Sequence, residues 1–121
     1  MKVIIAGSRK VEDYKLVAEA MKRCNFKVTE VVSGCATGVD RMGETWARAN
    51  NLPIKEMPAN WYQHGKAAGP IRNREMAEYA DAAVVIWDGK SRGTRNMINE
   101  MIRKNKPYYI VMTESEDEPV E

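Results

Sequence analysis

The sequence predicts an α/β fold, a parallel sheet covered by helices on both faces. Two observations predict it. Five short apolar runs alternate with four segments of helical periodicity, giving the order βαβαβαβαβ. Three of the apolar runs also end in small or glycine-rich segments, which suits strands that feed loops at one edge of a sheet.

Each element has its own signal. Residues 2–6 form an apolar run that stops at Gly7 and reads as a buried strand. It is too short for the apolar region of a secretion signal. A helix is expected over 13–24, with Val17, Ala20, Met21 and Cys24 on one face. Residues 28–32 read as a second strand ending at Ser33-Gly34. A second helix is expected over 39–50, with Val39, Met42, Trp46 and Ala49 inward, closed by Asn50-Asn51 and Pro53. Residues 54–57 alternate apolar with charged, as an edge strand does. A loop over 58–69 leads to Gly69-Pro70, where proline suits the first turn of a third helix ending near Ala80. Residues 82–87 are the most apolar stretch and read as a central strand, followed by a loop over 88–93. The last helix, 94–104, places Met97, Ile98, Met101 and Ile102 inward, and Pro107 precedes a final strand over 108–112.

The 121 residues suit one domain, taken as 1–113, followed by an acidic segment over 114–121 that is expected to be disordered. That segment holds five acids and no base, so the preceding body carries 19 basic residues against 12 acidic. A basic body suits an anionic partner. No run approaches the roughly 20 apolar residues of a membrane span. Cys24 and Cys35 form no C-x-x-C pair and His64 has no ligand-spaced companion, so no metal site is expected. Two thiols among many apolar residues suit a reducing cytoplasm.

Three loops carry the candidate chemistry. They are Gly7-Ser8-Arg9, then Ser33-Gly34-Cys35-Ala36-Thr37-Gly38, then Asp88-Gly89-Lys90-Ser91-Arg92-Gly93-Thr94. The second and third lead directly into helices, whose free N–H groups suit phosphate. Glycine permits close approach, Ser33, Thr37 and Thr94 offer hydroxyls, and Arg9, Arg92 and Arg95 offer charge. Together they point to a pocket for a phosphate-bearing, nucleotide-like ligand. Neither G-x-G-x-x-G after the first strand nor G-x-x-x-x-G-K-[ST] is present, which argues against Walker-type ATP hydrolysis.

Other positions have two readings each. Arg74 could reach the crevice or pair on the surface with Glu78 at i+4. Trp61 and Tyr62 could stack on a base or cover the edge of the core. Asp40 could stabilise its helix N-terminus or contact a ribose hydroxyl. Cys35 could be an activated thiol or a small packing residue.

These loops together resemble the SLOG superfamily of Rossmann-like proteins, and within it the small stand-alone YspA-like branch often carried by bacteria and phages. The resemblance covers about residues 1–112 and rests on several segments. Gly7-Ser8-Arg9 is similar to the family's G-S-R, and residues 33–40 to its S-G-x-A-x-G-[IV]-D. Arg72-Asn73-Arg74-Glu75-Met76 resembles its R-N segment, and Arg92-Gly93-Thr94 its G-x-G-T loop. The resemblance implies a three-layer sandwich with five parallel strands in the order 3-2-1-4-5, a nucleotide pocket, no cofactor, and a homo-oligomer of two or four copies. Family members include phosphoribohydrolases, nucleotide sensors and single-stranded DNA binders. Arg74 is similar to the catalytic arginine of the hydrolases, but Met97 stands where they carry glutamate. Glu100, a turn further on, is too distant to replace it, and Asp88 and Glu75 are the remaining acids nearby. The expectation is therefore a binding or sensing protein. An N-glycosidase using Arg74 and a single-stranded nucleic-acid binder are the alternatives.

Overall fold

The computed structural model describes residues 1–113. The acidic segment 114–121, expected to be disordered, lies outside the described residues. Among the described residues, five strands form one parallel sheet: β1 (Lys2–Gly7), β2 (Glu30–Ser33), β3 (Ile54–Glu56), β4 (Ala82–Trp87) and β5 (Tyr108–Met112). Their order is β3-β2-β1-β4-β5, the order the resemblance implied. β1 lies at the centre, with Val3 opposite Val31 of β2 on one side and Ala82 of β4 on the other. The interior of β1 and almost all of β4 are buried, as strands covered on both faces must be.

Alternation along the strands splits the core in two. Val3 and Ile5 face α1 (Tyr14–Arg23) and α2 (Val39–Ala49), packing against Val17, Ala20, Val39 and Ala47. Ile4 and Ala6 point to the opposite face, where α4 (Ala68–Tyr79) and α5 (Arg92–Arg103) supply Met76, Ala77, Met97 and Met101. Each fully buried Val, Ile or Met side chain contributes about 1.5–3 kcal/mol. The face of α2 differs from the sequence expectation. Gly43 lies inward, so close to β1 that a Cβ there would come 2.8 Å from Ile5, and Ala49 is exposed. On α5 Ile102 is also exposed, at 52%, because the helix settles on Met97, Ile98 and Met101.

The helix ends follow local chemistry. Asp13 Oδ1 accepts the Lys15 N–H at 3.0 Å and starts α1. Asn25, Asn51 and Asn105 follow α1, α2 and α5 with φ of 61°, 55° and 59°. Asparagine tolerates this left-handed conformation and so ends a helix cleanly. The expected loop over 58–69 is shorter than predicted. Asn60 accepts the Gln63 N–H and caps the one-turn α3 (Trp61–His64), a 3₁₀ turn (Gly65–Ala67) follows, and α4 begins two residues before Pro70. β2 starts later than expected because pairing sets its register, with Lys2 opposite Glu30.

Candidate functional site

The chain leaves β1 toward α1 on one face of the sheet and leaves β4 toward α5 on the other. The two loops diverge and open a crevice beyond the carboxyl ends of the strands. The crevice is a cavity of about 1010 Å³.

Glycine lets the walls come close. A Cβ on Gly7 would lie 2.1 Å from the Ile86 carbonyl oxygen. The neighbouring Ser8 N–H donates to that oxygen at 3.1 Å. Gly38, with φ 75°, brings the start of α2 against the first loop, where a Cβ would meet the Ser8 carbonyl oxygen at 2.5 Å. The Val39 N–H then donates to Ser8 O. Two of the three loops are therefore clamped together by backbone contacts that no side chain could occupy.

Most of the expected residues line this cavity. From the first loop come Gly7, Ser8 and Arg9. The second contributes Gly34, Ala36 and Asp40. Asp88, Arg92, Gly93 and Thr94 come from the third. Cys35 and Thr37 line a smaller adjoining recess of about 370 Å³, and Trp61, half-exposed, borders both spaces. Met76 and Met97 form a buried apolar part of the main wall.

Five of the expected residues lie outside the lining of both spaces. Arg74 is exposed and does not line the cavity. Arg72, two residues earlier and so about 200° around the helix, lines it instead. Ser33 is fully buried and faces α2, where its hydroxyl donates to Glu44 Oε2 at 2.6 Å. Gly38 shapes the loop from behind the lining. Tyr62 is fully exposed and Arg95 lies over the Trp87 ring, so neither reaches the cavity.

Arg72 is held from two sides. Its Nη1 donates to the Gly34 carbonyl at 2.5 Å, and its Nε donates to Asn73 Oδ1 at 3.0 Å. Asn73 Nδ2 donates in turn to Asn96 Oδ1 and Gly93 O, at 2.9 and 3.1 Å. This network ties the second loop, α4 and the start of α5 around one guanidinium. Burial pushes the Arg72 pKa down while the Asp40 carboxylate pulls it up, and the guanidinium stays charged.

Asp40 is 6% exposed, and its Oδ2 accepts the Ala36 N–H at 3.1 Å. Burial pushes its pKa up to about 6, against the pull of that N–H and of the Arg72 and Arg9 charges. Asp88 goes the other way. Burial opposes its charge, but the Ser91 and Lys90 N–H groups, both at 2.8 Å, hold its pKa below the usual range. The Asp88 carboxylate thus shapes the third loop, and Ser91 caps α5.

The acids considered for catalysis are placed differently. Glu75 is exposed and outside the cavity. Glu100 is buried, but it pairs with Arg103 and Lys104 at 2.7 and 3.0 Å away from the cavity lining. Beside the recess, ligand atoms of Cys35, Glu44 and Glu56 lie within 4.8 Å of one another. Glu44 there is committed to Ser33, Arg41 and Arg48. Burial and the neighbouring Glu44 and Glu56 charges push the Cys35 thiol pKa up. At neutral pH the thiol is therefore protonated.

Sequence reasoning missed Arg72, Asn73 and Lys10 as lining residues. Helical phase carries the signal for Arg72. It lies four residues before Met76, on the face that α4 buries.

No described helix is long and apolar enough to cross a membrane. Residues 1–64 match the family model described as YspA, cpYpsA-related SLOG family. The Gene 61 protein of Mycobacterium phage D29 is 32% identical over 116 residues, which covers 88% of this chain and 92% of that protein. Among solved structures, DNA processing protein A from Streptococcus pneumoniae is similar in fold, with a TM-score of 0.75 at 18% identity. The likeness covers 96% of this chain, which spans 52% of that one. Fold, loops and relatives agree, and the chain belongs to the YspA, cpYpsA-related SLOG family.

Proposed function

We propose that the cavity binds a nucleotide or a nucleotide-derived, phosphate-bearing ligand, and that the protein acts as a binding or sensing protein in the cytoplasm. One observation carries the reading. Arg9, Arg72 and Arg92, from three separate segments, all line one cavity at the point where strand order reverses. Guanidinium groups on the walls of a glycine-lined crevice suit phosphate, and the apolar wall at Met76 and Met97 suits a base or sugar face. A homo-oligomer of two or four copies belongs to the same proposal.

The test is native mass spectrometry of the purified protein, which reads a co-purified nucleotide and the number of copies together. Calorimetry with that nucleotide follows on wild type and Arg9→Ala. The loss of affinity should be about 1.5–3 kcal/mol, the scale of a charged hydrogen bond. Unchanged affinity in a folded Arg9→Ala protein would overturn the assignment.

Nucleic acid is the second reading. It is supported by the half-exposed Trp61 and fully exposed Tyr62 on α3, near a cavity lined by Arg9, Arg72 and Arg92. The fold neighbour is a DNA processing protein, which keeps this reading open. Hydrolysis of a nucleotide to its free base ranks lower, because Met97 occupies the cavity wall where an acid would be needed.

A further inference from the structure

The main cavity and the adjoining recess have five residues in common: Arg9, Gly34, Ala36, Trp61 and Arg72. The two arginines therefore stand at a junction, with space on either side. Residues found only in the recess include Thr37, Pro58 and Ala59, a hydroxyl beside two small apolar surfaces. Trp61 is 52% exposed and borders both spaces, so its indole offers a stacking face at the mouth of the recess.

Charge distribution follows the same division. Arg72 is fixed at the junction by Gly34 O and Asn73. Neither Thr37, Pro58 nor Ala59 brings a charge to the recess. The main cavity, by contrast, keeps Arg92, Asp40 and Asp88 beyond the junction, so an anionic centre with a neutral group toward the recess and a polar one toward the main cavity matches this layout. A nucleoside monophosphate seated in the main cavity would leave the recess to water. At about 1010 Å³ the main cavity alone already reaches the upper end of ordinary small-molecule sites.

We propose that the ligand is a dinucleotide. Its phosphates sit against Arg9 and Arg72, one nucleoside lies in the main cavity, and the second enters the recess over Trp61. This inference rests on the phosphate-ligand reading above and deepens it. It names a free small molecule as the source, not a step of a nucleic-acid strand.

Cys35 makes the recess directly readable. The chain has two cysteines; Cys24 is 7% exposed within the core, whereas Cys35 lines the recess. Alkylation of the folded protein by N-ethylmaleimide, followed by mass spectrometry, therefore reports on the recess. The probes are diadenosine diphosphate and adenosine monophosphate, with the guanosine pair in parallel and oligodeoxythymidine as a third arm. For at least one base, the dinucleotide should bind roughly tenfold more tightly than its monophosphate. It should also slow Cys35 alkylation, while the bound monophosphate leaves the rate unchanged. Ala59→Trp, which fills the recess from a loop, should reduce dinucleotide affinity to the level of the monophosphate.

Equal affinities with equal alkylation rates, in a protein that binds the monophosphate, would overturn the dinucleotide and leave the nucleotide site standing. Oligodeoxythymidine that binds more tightly than the dinucleotide and protects Cys35 would overturn the small-molecule source. If no nucleotide binds, the parent reading falls and this inference falls with it.

Discussion

Asp40→Asn tests the electrostatics of the site through stability. Asn keeps an oxygen that can accept the Ala36 N–H, so the substitution removes the charge and little else. The Asp40 pKa rises from 3.8 to about 6 on folding, because burial outweighs the Ala36 N–H and the Arg72 and Arg9 charges, with Glu44 adding to the rise. A raised carboxylate pKa means that the folded state holds the proton more tightly than the unfolded chain. The stability this provides is full below about pH 4 and is lost as pH rises through about 6. Each pKa unit corresponds to about 1.4 kcal/mol, so wild type forfeits about 3 kcal/mol by neutral pH, an upper figure that relaxation reduces. Asn at this position forfeits none of it. Between pH 4.5 and 7.5 the stability of Asp40→Asn relative to wild type should therefore rise by about 2 kcal/mol. Carboxylates common to both proteins, such as Asp88 and Glu100, cancel in the difference. Urea unfolding followed by tryptophan fluorescence at several pH values measures it. A difference that stays constant across this range would refute the reasoning, since it would mean that Asp40 ionises alike in both states.

Further predictions follow from the placement of side chains. Arg72→Ala should weaken nucleotide binding by about 1.5–3 kcal/mol in calorimetry, whereas Arg74→Ala should leave it unchanged. Equal losses would show that the two arginines share the site. Wild-type protein incubated with nucleoside monophosphates should release no free base above a no-enzyme control in chromatography, because Met97, which stands where the resembling hydrolases carry glutamate, is an apolar, buried residue of the cavity wall. Measurable release would make the protein an enzyme, with Asp88 the first acid to test. Binding to single-stranded DNA should be weak and should fall steeply with salt in fluorescence anisotropy. Submicromolar affinity near physiological salt would instead favour nucleic acid as the partner.

The elements and their alternation are legible along the chain. Strands β1 and β4 announce themselves as continuous apolar runs, and α1 by the spacing of Val17, Ala20, Met21 and Cys24. Such patterns are local, since a strand or helix face is written within a window of about ten residues. Glycine and asparagine signals are local as well, so the loops at Gly7 and Gly34 and the helix end at Asn51 could be placed from the chain alone. The strand order came from resemblance to a family, because pairing joins residues far apart in the chain, as with Gly7 and Ile86. What each side chain faces was decided by tertiary structure. Ser33 and Gly34 are neighbours, yet the serine hydroxyl turns to Glu44 while the glycine carbonyl meets Arg72 across 38 residues. The choice between Arg72 and Arg74 depends on the phase at which α4 docks on the sheet, and Met76 and Ala77 set that phase by being buried. Asp40 gained its raised pKa in the same way: the carboxylate is ordinary in sequence, and only packing between two loops and two helices removes its water.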